Sequence, residues 1–346
     1  MTDPLESPLR SLIEMSGQTI KCPCCGGMLV SVGEIAEATC DSCELTFGSE
    51  NGIPQLFWAN EWGSSVVDIT ARMKAFYEAT PFPNYDEVGS AKELATRAHR
   101  RLFAHLIDAQ IPDDAVILDV GCGTGQLSNF LGLRPGRKIY GTDICMNSLA
   151  LGEKFRRQNG LSNVSFLQMN LFRPVFEQEM FDYVISSGVL HHTSDPHGGF
   201  ITISALVKHG GFTVIGLYNK LGRIPLNIRK VVMSLTGGRV KLPDPQLNDR
   251  RLSELRKHVW FMDQYKNPHE SSHTMDEVLK WFEEAGISFT NSFPSTNVGG
   301  SISDSEILFE PRSPGTRTGR FLVQLGMMIR GGREGGFFLM FGRREP

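Results

Sequence analysis

The sequence of 346 residues lacks the segments that would mark a membrane-spanning or secreted protein. Its apolar stretch at Phe321–Ile329 is far shorter than the roughly 20 residues that a helix needs to cross a bilayer. The first residues show no basic start followed by an apolar run, so no secretory leader is visible. We therefore expect a cytoplasmic protein without a transmembrane segment.

Internal repeats and low-complexity tracts are also absent, which excludes solenoid and repeat architectures. The composition, 40% hydrophobic and 21% charged, is that of an ordinary globular protein. The net charge of −3 hides an asymmetry, because residues 1–60 carry eight acids and two bases, whereas residues 220–266 carry eleven Lys/Arg and four acids. Such a basic segment indicates nucleic acid, an anionic membrane or an anionic substrate, or else a solvated helical face.

The cysteines are concentrated near the N terminus, five of the seven lying between residues 22 and 43. Cys22 and Cys25 form one C-x-x-C pair, and Cys40 and Cys43 form another, with fourteen residues between the pairs. Zn²⁺ prefers four soft ligands in a tetrahedron, and each pair supplies two of them from one tight turn. The pattern predicts a structural zinc ribbon with Cys24 left over. The alternative is a redox pair or ordinary buried thiols.

The segment around these cysteines resembles a known module. C-P-x-C-x-G, a second C-x-x-C, an aromatic residue and Gly-Ile-Pro-x-Leu follow one another over about forty residues. This order is similar to the Trm112-type zinc ribbon that is fused to some bacterial methyltransferases. Residues 1–18 have the pattern of an amphipathic helix. We therefore expect an N-terminal helix and zinc ribbon over residues 1–60, which either stabilises the chain or offers a surface to a protein partner.

A glycine-rich motif, Asp119-Val-Gly121-Cys-Gly123-Thr-Gly125, lies between a run of β-formers and a predicted helix. Asp143 ends the next predicted strand, about two dozen residues later. A strand, a glycine turn, a helix and a strand ending in an acid are typical of a nucleoside-cofactor site. The motif lacks the Gly-Lys-Ser/Thr of a P-loop and the longer glycine spacing of dinucleotide folds. The alternatives are ordinary turns and a helix N-cap.

An acid at a strand end followed by Gly-x-Gly-x-Gly resembles the first motif of class I S-adenosylmethionine (SAM) dependent methyltransferases. The resemblance covers roughly residues 90–346. It implies an α/β, Rossmann-like sheet that is mostly parallel with an antiparallel last strand, and methyl transfer that leaves S-adenosylhomocysteine. We expect a methyltransferase domain over 111–346 with insertions at 220–274 and 295–334, preceded by a helical, Pro- and aromatic-rich cap segment over 61–110.

The predicted cofactor site follows from the position of ligands beyond the carboxyl ends of parallel strands. Asp143 would accept hydrogen bonds from the ribose hydroxyls, and Ile144 would pack on adenine. Asn170 stands where the family often has an acid near the adenine amino group. The predicted cofactor-binding residues, all at or after strand ends, are Asp119, Gly121, Cys122, Gly123, Gly125, Asp143, Ile144, Asn170, Leu171 and Ser187.

The segment from Ser186 to Pro196, which contains His191 and His192, resembles the post-strand segment of small-molecule methyltransferases such as the ubiquinone-pathway O- and C-methylases. It has neither the Asn/Asp-Pro-Pro-Tyr/Phe of base amino methylases nor the Pro-Cys nucleophile of cytosine-C5 enzymes. Either histidine could act as a general base, since histidine titrates near neutral pH. The alternative is a histidine bonded to backbone at the strand end.

Aromatic and basic residues outside the sheet are candidates for acceptor binding, namely Tyr77, Phe82, Tyr85, Arg223 and Tyr265. They could face the sulfonium or form a lid; the alternative is packing of the extension on the sheet. We expect a SAM-dependent enzyme that methylates an oxygen, carbon or nitrogen of a small molecule. An rRNA or tRNA methyltransferase with a zinc ribbon is one alternative, and a SAM-binding scaffold without turnover is another.

Overall fold

The computed structural model describes residues 12, 19–31, 37–62, 67–81, 85, 88–237, 239, 242–300, 302–329 and 335–346. Apart from Leu12, the helix expected over residues 1–18 lies outside the described residues, as does Phe82. No helix in the described ranges combines the length and apolarity that crossing a bilayer requires.

Twelve strands and ten α-helices occupy the described residues. The strands are β1 Leu29–Ser31, β2 Ala38–Cys40, β3 Thr46–Phe47, β4 Ser49–Glu50, β5 Ile53–Leu56, β6 Val116–Val120, β7 Lys138–Asp143, β8 Val164–Met169, β9 Phe181–Ser187, β10 Val207–Tyr218, β11 Ile287–Phe293 and β12 Phe337–Arg344. The helices are α1 Thr70–Ala79, α2 Ala91–His99, α3 Leu102–Gln110, α4 Gln126–Leu131, α5 Met146–Gln158, α6 Pro196–Ser204, α7 Ile224–Leu235, α8 Glu254–Phe261, α9 Met275–Glu284 and α10 Arg317–Ile329. A 3₁₀ turn spans Leu190–His192, and a π-helical turn spans Met262–Lys266.

The main sheet has nine strands in the order β11-β12-β10-β9-β6-β7-β8-β5-β4. Neighbours from β10 through β5 run parallel, whereas β12 runs antiparallel to both β10 and β11. This confirms the expected α/β, Rossmann-like class I sheet, mostly parallel with an antiparallel last strand. The chain adds β7 and β8 on one side of β6, and then β9 and β10 on the other. The strand order therefore reverses between β6 and β9.

The central strands are near-continuous apolar runs because both faces of the sheet are covered. Alternate side chains of β6 enter opposite cores: Leu118 and Val120 pack in one, and Ile117 packs in the other. Leu118 and Ile117 are fully buried. This two-sided burial fixes the register of β6, so the residues that follow it emerge at a defined edge of the sheet.

The N-terminal ribbon is joined to the sheet by hydrogen bonds. Strand β5 pairs in parallel with β8, with Leu56 opposite Met169. The backbone N–H of Lys21 donates to the carbonyl of Val175 at 2.7 Å, beyond the end of β8. The ribbon segment thus extends the sheet edge within the same chain, while the domain division at residue 60 stays a prediction.

The two insertions meet beyond the end of β10. Asn219 Nδ2 donates to Gln324 Oε1 at 2.7 Å, and the backbone N–H of Asn219 donates to the carbonyl of Gly336 at 2.8 Å. An isolated parallel bridge joins Asn219 to His273. Residues at the end of the first insertion, within the second and just after it therefore converge on one buried asparagine.

Candidate active site

A glycine turn follows β6. Gly121, Gly123 and Gly125 all have positive φ, at 69°, 56° and 70°, a backbone conformation that residues other than glycine rarely adopt. A β-carbon on Gly121 would lie 2.4 Å from Val189, and one on Gly125 would lie 2.4 Å from the ring of Phe166. Glycine is thus required here both for the backbone conformation and for the close approach of neighbouring elements.

The turn is held against the end of β7 by Asp143. Its Oδ2 accepts a hydrogen bond from the backbone N–H of Gly123 at 2.9 Å, and its Oδ1 accepts one from Cys145 at 2.9 Å. Each carboxylate oxygen keeps a further lone pair for a ligand. Asp143 is half-buried, and burial raises the pKa of its carboxyl above the ordinary value. The geometry fixes the carboxylate at the turn and leaves it acceptor capacity.

Asp119, the first residue of the motif, points into the protein. It is buried, and its Oδ2 accepts a hydrogen bond from the hydroxyl of Ser128 at 2.7 Å, in helix α4. Burial raises the pKa of Asp119 to about 6, against the opposing effect of the Ser128 hydrogen bond. The structure therefore shows Asp119 bracing the helix behind the turn, and its contact with a cofactor stays a prediction.

Partly exposed residues lie at the ends of three strands along one edge of the sheet. Six of the predicted cofactor residues are of this kind, namely Gly121, Cys122, Gly123, Asp143, Ile144 and Ser187. They follow β6, β7 and β9 at the point where the strand order reverses, which is where open α/β sheets bind ligands. A half-exposed acid and a glycine turn with accessible backbone fit a nucleoside with free hydroxyls.

Asn170 occupies a different environment from the one expected. Its side-chain NH₂ donates to the Trp58 carbonyl at 2.8 Å and to Asn60 Oδ1 at 2.7 Å. Its Oδ1 accepts the backbone N–H of Phe172 at 3.1 Å. Asn170 thereby ties the segment after the ribbon to the end of β8, and Leu171 beside it is buried. One oxygen lone pair of Asn170 is left for adenine, so the predicted contact stays a prediction.

Helix α1 of the cap segment covers this edge of the sheet. Glu78 accepts the backbone N–H groups of Met146 and Asn147 at 2.9 and 3.1 Å, which caps the N terminus of α5 just beyond Asp143. At the other end of α1, the N–H of Ile69 donates to Ser194 Oγ at 3.1 Å. The helix therefore bridges the loops after β7 and after β9.

The two histidines after β9 are both buried and differ in their bonding. His192 Nδ1 lies 2.7 Å from the carbonyl of His269, so it carries the proton and leaves Nε2 as an acceptor. Neither ring nitrogen of His191 has a partner among the described residues. Burial lowers the pKa of both rings, that of His191 well below its ordinary value, so both are neutral at pH 7. The two rings lie 4.2 Å apart.

A polar network surrounds the histidines. The hydroxyl of Tyr77, on α1, donates to Asp263 Oδ1 at 3.2 Å, and its ring lies 6.0 Å from that of His192. Gln264 Nε2 lies 2.6 Å from Asp263 Oδ2 and 2.8 Å from the hydroxyl of Tyr218. Burial raises the pKa of Tyr77 well above its ordinary value. The network connects the cap, the end of β10 and the first insertion around one pocket of polar groups.

Arg223 belongs to the same network and is fully buried. Its guanidinium forms a two-pronged ion pair with Glu270, donates to Gln264 Oε1 at 2.5 Å, and stacks 3.4 Å above the ring of Tyr218. The sequence gives no signal for Asp263, Gln264 or Glu270, because these residues lie in an insertion without a recognisable motif. Tyr218 could have been found by the rule that placed Asp143, since it too ends a strand.

Two other predicted acceptor residues lie in packed positions. The hydroxyl of Tyr265 bonds Asp244 Oδ2 at 2.7 Å, and its ring stacks on Phe261. Tyr85 stacks on Phe155 with ring centroids 4.7 Å apart, and its hydroxyl accepts Asn129 Nδ2 at 2.8 Å. These contacts agree with the packing alternative, and the acceptor role of both tyrosines stays a prediction.

The four cysteines of the two C-x-x-C pairs form one cluster. All four Sγ atoms lie within 4.8 Å of one another, with Cys22 and Cys43 at 3.7 Å and Cys25 and Cys40 at 3.5 Å. Four sulfurs around a tetrahedral Zn²⁺ would be separated by about 3.8 Å, given Zn–S bonds of about 2.3 Å. The spacing of the thiols fits such an ion, and Cys24 is outside the cluster.

Comparison with known proteins gives one family match and several relatives. Residues 118–215 match the family model described as a methyltransferase domain. The chain is 26% identical over 247 residues to an uncharacterized protein of Synechococcus, covering 64% of this chain and 59% of that protein. It is 24% identical over 227 residues to demethylmenaquinone methyltransferase of Bacillus velezensis, covering 63% of this chain and 92% of that protein. It is 27% identical over 171 residues to ubiquinone biosynthesis O-methyltransferase of Ruegeria, covering 49% of this chain and 59% of that protein.

Solved structures with a similar backbone include a chain in the complex between the Haloferax volcanii Trm112 methyltransferase activator and a methyltransferase. That chain has a TM-score of 0.46 and 16% identity, over 78% of this protein and 98% of the other. A second is PKMT2 from Rickettsia typhi in complex with AdoHcy, with a TM-score of 0.47 and 14% identity, over 66% of this protein and 49% of the other.

Proposed function

We propose that this chain, whose residues 118–215 form a SAM-dependent methyltransferase domain, transfers the methyl group of SAM to a small-molecule acceptor. The observation that carries the proposal is the position of Asp143 at the switch point of the sheet. Its carboxylate is fixed by two backbone N–H groups, one of them from the glycine turn, and it retains acceptor capacity. This is the arrangement that a ribose with two hydroxyls requires.

When bound, SAM supplies an activated methyl group on a sulfonium, so the protein has chiefly to align the acceptor and exclude water. Asp143 would hold the ribose, and the backbone of Gly121 and Gly123 would approach the rest of the cofactor. Helix α1 would cover the site, because it is anchored on both flanking loops through Glu78 and Ile69. The chain itself therefore provides orientation and enclosure.

The acceptor would bind beside His191 and His192. A buried polar group without a partner costs roughly 1–3 kcal/mol, and both ring nitrogens of His191 are in this state. An acceptor hydroxyl or carbonyl would satisfy them. The Nε2 of His192, left free by the bond from Nδ1 to His269, could take a proton from an acceptor hydroxyl. The relatives named for quinone biosynthesis favour a quinone-type acceptor.

An RNA acceptor has less support, because many cations of the basic insertion are neutralised within it. Arg223 pairs with Glu270, Arg251 with Asp249, and Lys257 with Glu254. Phosphate recognition depends on cations that are free to replace counterions. A scaffold role without turnover remains the second alternative, and it predicts SAM binding without methylation.

We further propose that Cys22, Cys25, Cys40 and Cys43 hold a structural Zn²⁺. With four thiolates no coordination position is open for chemistry. The support is the spacing of the four sulfurs together with the docking of the ribbon on the edge of β8. In this proposal the ion keeps the ribbon folded, and the ribbon secures the sheet edge next to the cofactor site.

Binding and turnover test the enzyme proposal. Calorimetry should show SAM binding that Asp143→Ala weakens at least about tenfold, since hydrogen bonds to a charged group contribute roughly 1.5–3 kcal/mol each. Asp304→Ala, which removes an exposed acid far along the chain, should leave the affinity unchanged. Unchanged affinity in the Asp143 variant would remove the ribose assignment.

A labelling experiment then separates the candidate functions. The protein and labelled SAM are incubated once with a lipid-soluble small-molecule extract and once with RNA. Label in the small-molecule fraction supports the proposal, and label only in RNA contradicts it. Tight SAM binding without label in either fraction would instead indicate the scaffold.

A further inference from the structure

Helix α7 of the first insertion carries apolar side chains on its exposed side. Ile224, Ile228, Val231 and Leu235 follow one another at intervals of four, three and four residues, so they lie on one face of the helix. Ile228, Val231 and Leu235 are 52%, 56% and 81% exposed, whereas Leu226 on the same helix is buried. An amphipathic helix normally turns such a face to the core.

Helix α10 of the second insertion has the same property. Phe321 and Leu322 are each about half exposed, and Ile329 is 73% exposed. The helices approach each other where α7 begins, since a β-carbon on Gly222 would lie 3.3 Å from Cβ of Met327. A cavity of about 220 Å³ lies between Leu221 and Phe321. We name the exposed apolar residues of α7 and α10, with this cavity, the insertion face.

Positive charge borders the insertion face. Neither α7 nor α10 contains an acidic residue. Lys220 and Arg317 line the cavity together with one acid, Asp276, which is paired with Arg320. Arg239 is exposed beyond the end of α7. Lys220 Nζ forms an ion pair with Glu277 Oε1 at 3.3 Å, whereas Arg317 has no ion pair among the described residues. The insertion face thus combines aliphatic groups with cations at its edge.

We propose that the insertion face docks on an anionic membrane surface. Interfacial helices bury an apolar stripe at the boundary between headgroups and acyl chains, and neighbouring Lys/Arg contact anionic lipids. Exposed Ile, Val and Leu favour this occupant over RNA, which is bound by cations and stacking aromatic rings. The described helices are unable to cross a bilayer, so contact is at the surface.

The position of the face relates it to the proposed acceptor site. The stripe starts at Ile224, the residue after Arg223 of the buried polar network. A membrane-bound α7 would place the acceptor site next to the lipid phase. The docking itself is independent of the proposed methyl transfer, because it concerns only the surface of the insertions.

Vesicle flotation with the full-length protein tests this inference without SAM. The probe is unilamellar vesicles of equal parts phosphatidylglycerol and phosphatidylcholine, with pure phosphatidylcholine vesicles for comparison. The wild type should float with the anionic vesicles. The double variant I228D/V231D should bind at least about tenfold more weakly, because two apolar side chains that would be buried among the lipids are replaced by carboxylates. N227D/S234D is the matched control: it places the same charge on exposed positions of α7 outside the stripe, and it should bind at least about fivefold more tightly than I228D/V231D, because it keeps the apolar stripe.

Circular dichroism and metal content should be the same in all three proteins, since the substituted residues are on the surface. Failure of the wild type to float with anionic vesicles would overturn the inference. Equal losses in the two double variants would also overturn it, because binding would then depend on charge alone. A dimer in sedimentation that I228D/V231D abolishes, without vesicle binding, would show instead that a second copy covers the face.

Discussion

Replacing Asp119 by asparagine should stabilise the protein at neutral pH and change how its stability depends on pH. Burial raises the pKa of this carboxyl from an ordinary 3.8 to about 6. An acid whose pKa is higher in the folded state contributes its full stability below the unfolded value, and that stability is lost as the pH rises through about 6. Ionised Asp119 therefore weakens the folded protein above pH 6.

The magnitude follows from the two pKa values. At pH 7.5 the carboxyl is ionised in both the folded and the unfolded chain. The whole difference between the two pKa values then destabilises the folded state, by about 3 kcal/mol at 1.36 kcal/mol for each pKa unit. At pH 5 the folded carboxyl is mostly protonated while the unfolded one is mostly ionised, and the cost falls to about 1.6 kcal/mol. The amide introduced by Asp119→Asn is uncharged at both pH values. The advantage of this variant over wild type should thus grow by about 1.4 kcal/mol between pH 5 and pH 7.5.

Urea denaturation of both proteins at the two pH values measures this advantage. Comparing the variant with wild type cancels the titration of groups away from Asp119, such as the ribbon cysteines and the buried histidines, which both proteins share. It also cancels any constant packing effect of the amide beside Ser128. An advantage of the same size at pH 5 and pH 7.5 would refute the reasoning, since it would mean that Asp119 titrates alike in the folded and unfolded chain.

Two further predictions concern the ribbon and the buried network. Metal analysis should find about one zinc per chain, lost in the Cys40→Ser/Cys43→Ser variant and retained in Cys24→Ser, whose sulfur is outside the cluster; retention of zinc by the first variant would contradict the ligand set. Arg223→Met should destabilise the protein by about 3 kcal/mol in urea denaturation, because it removes both close hydrogen bonds to the largely buried Glu270 and leaves it only Lys230, 3.9 Å away. Adding Glu270→Gln should restore at least half of that loss, and no recovery would show that packing of the guanidinium on Tyr218 dominates.

The sheet could be predicted from the sequence because its strands are buried on both faces. Segments 164–169 and 287–293 are rich in apolar, aromatic and β-branched residues, which predicts strands over these ranges, and β8 and β11 have the same bounds. Residues 90–109, rich in Ala, Arg, His and Leu, predict one continuous helix, whereas the chain forms two, α2 and α3. Arg101 between them is extended, and neither of its neighbours is a glycine or proline that would have indicated the break.

The cofactor edge was also predictable, and the acceptor side was not. Asp143 and the glycine turn are local features, since both need only the strand that precedes them. The network of Tyr77, Asp263 and Gln264 brings together residues that lie more than 180 positions apart, and no periodicity or spacing records such pairs. The partner of Asn170 is likewise a distant segment, at Trp58 and Asn60.

By itself, the sequence determined the α/β sheet, the glycine turn with its acid, and the spacing of four cysteines around a metal-sized gap. These depend on backbone conformation, alternation of burial and loop length, which act over a few neighbouring residues. Only the tertiary structure decided that β5 of the ribbon joins the edge of β8, that Arg223 is buried and paired with Glu270, and that α7 and α10 carry exposed apolar side chains. Those outcomes depend on which surfaces remain after distant elements have packed, and a one-dimensional pattern leaves that choice open.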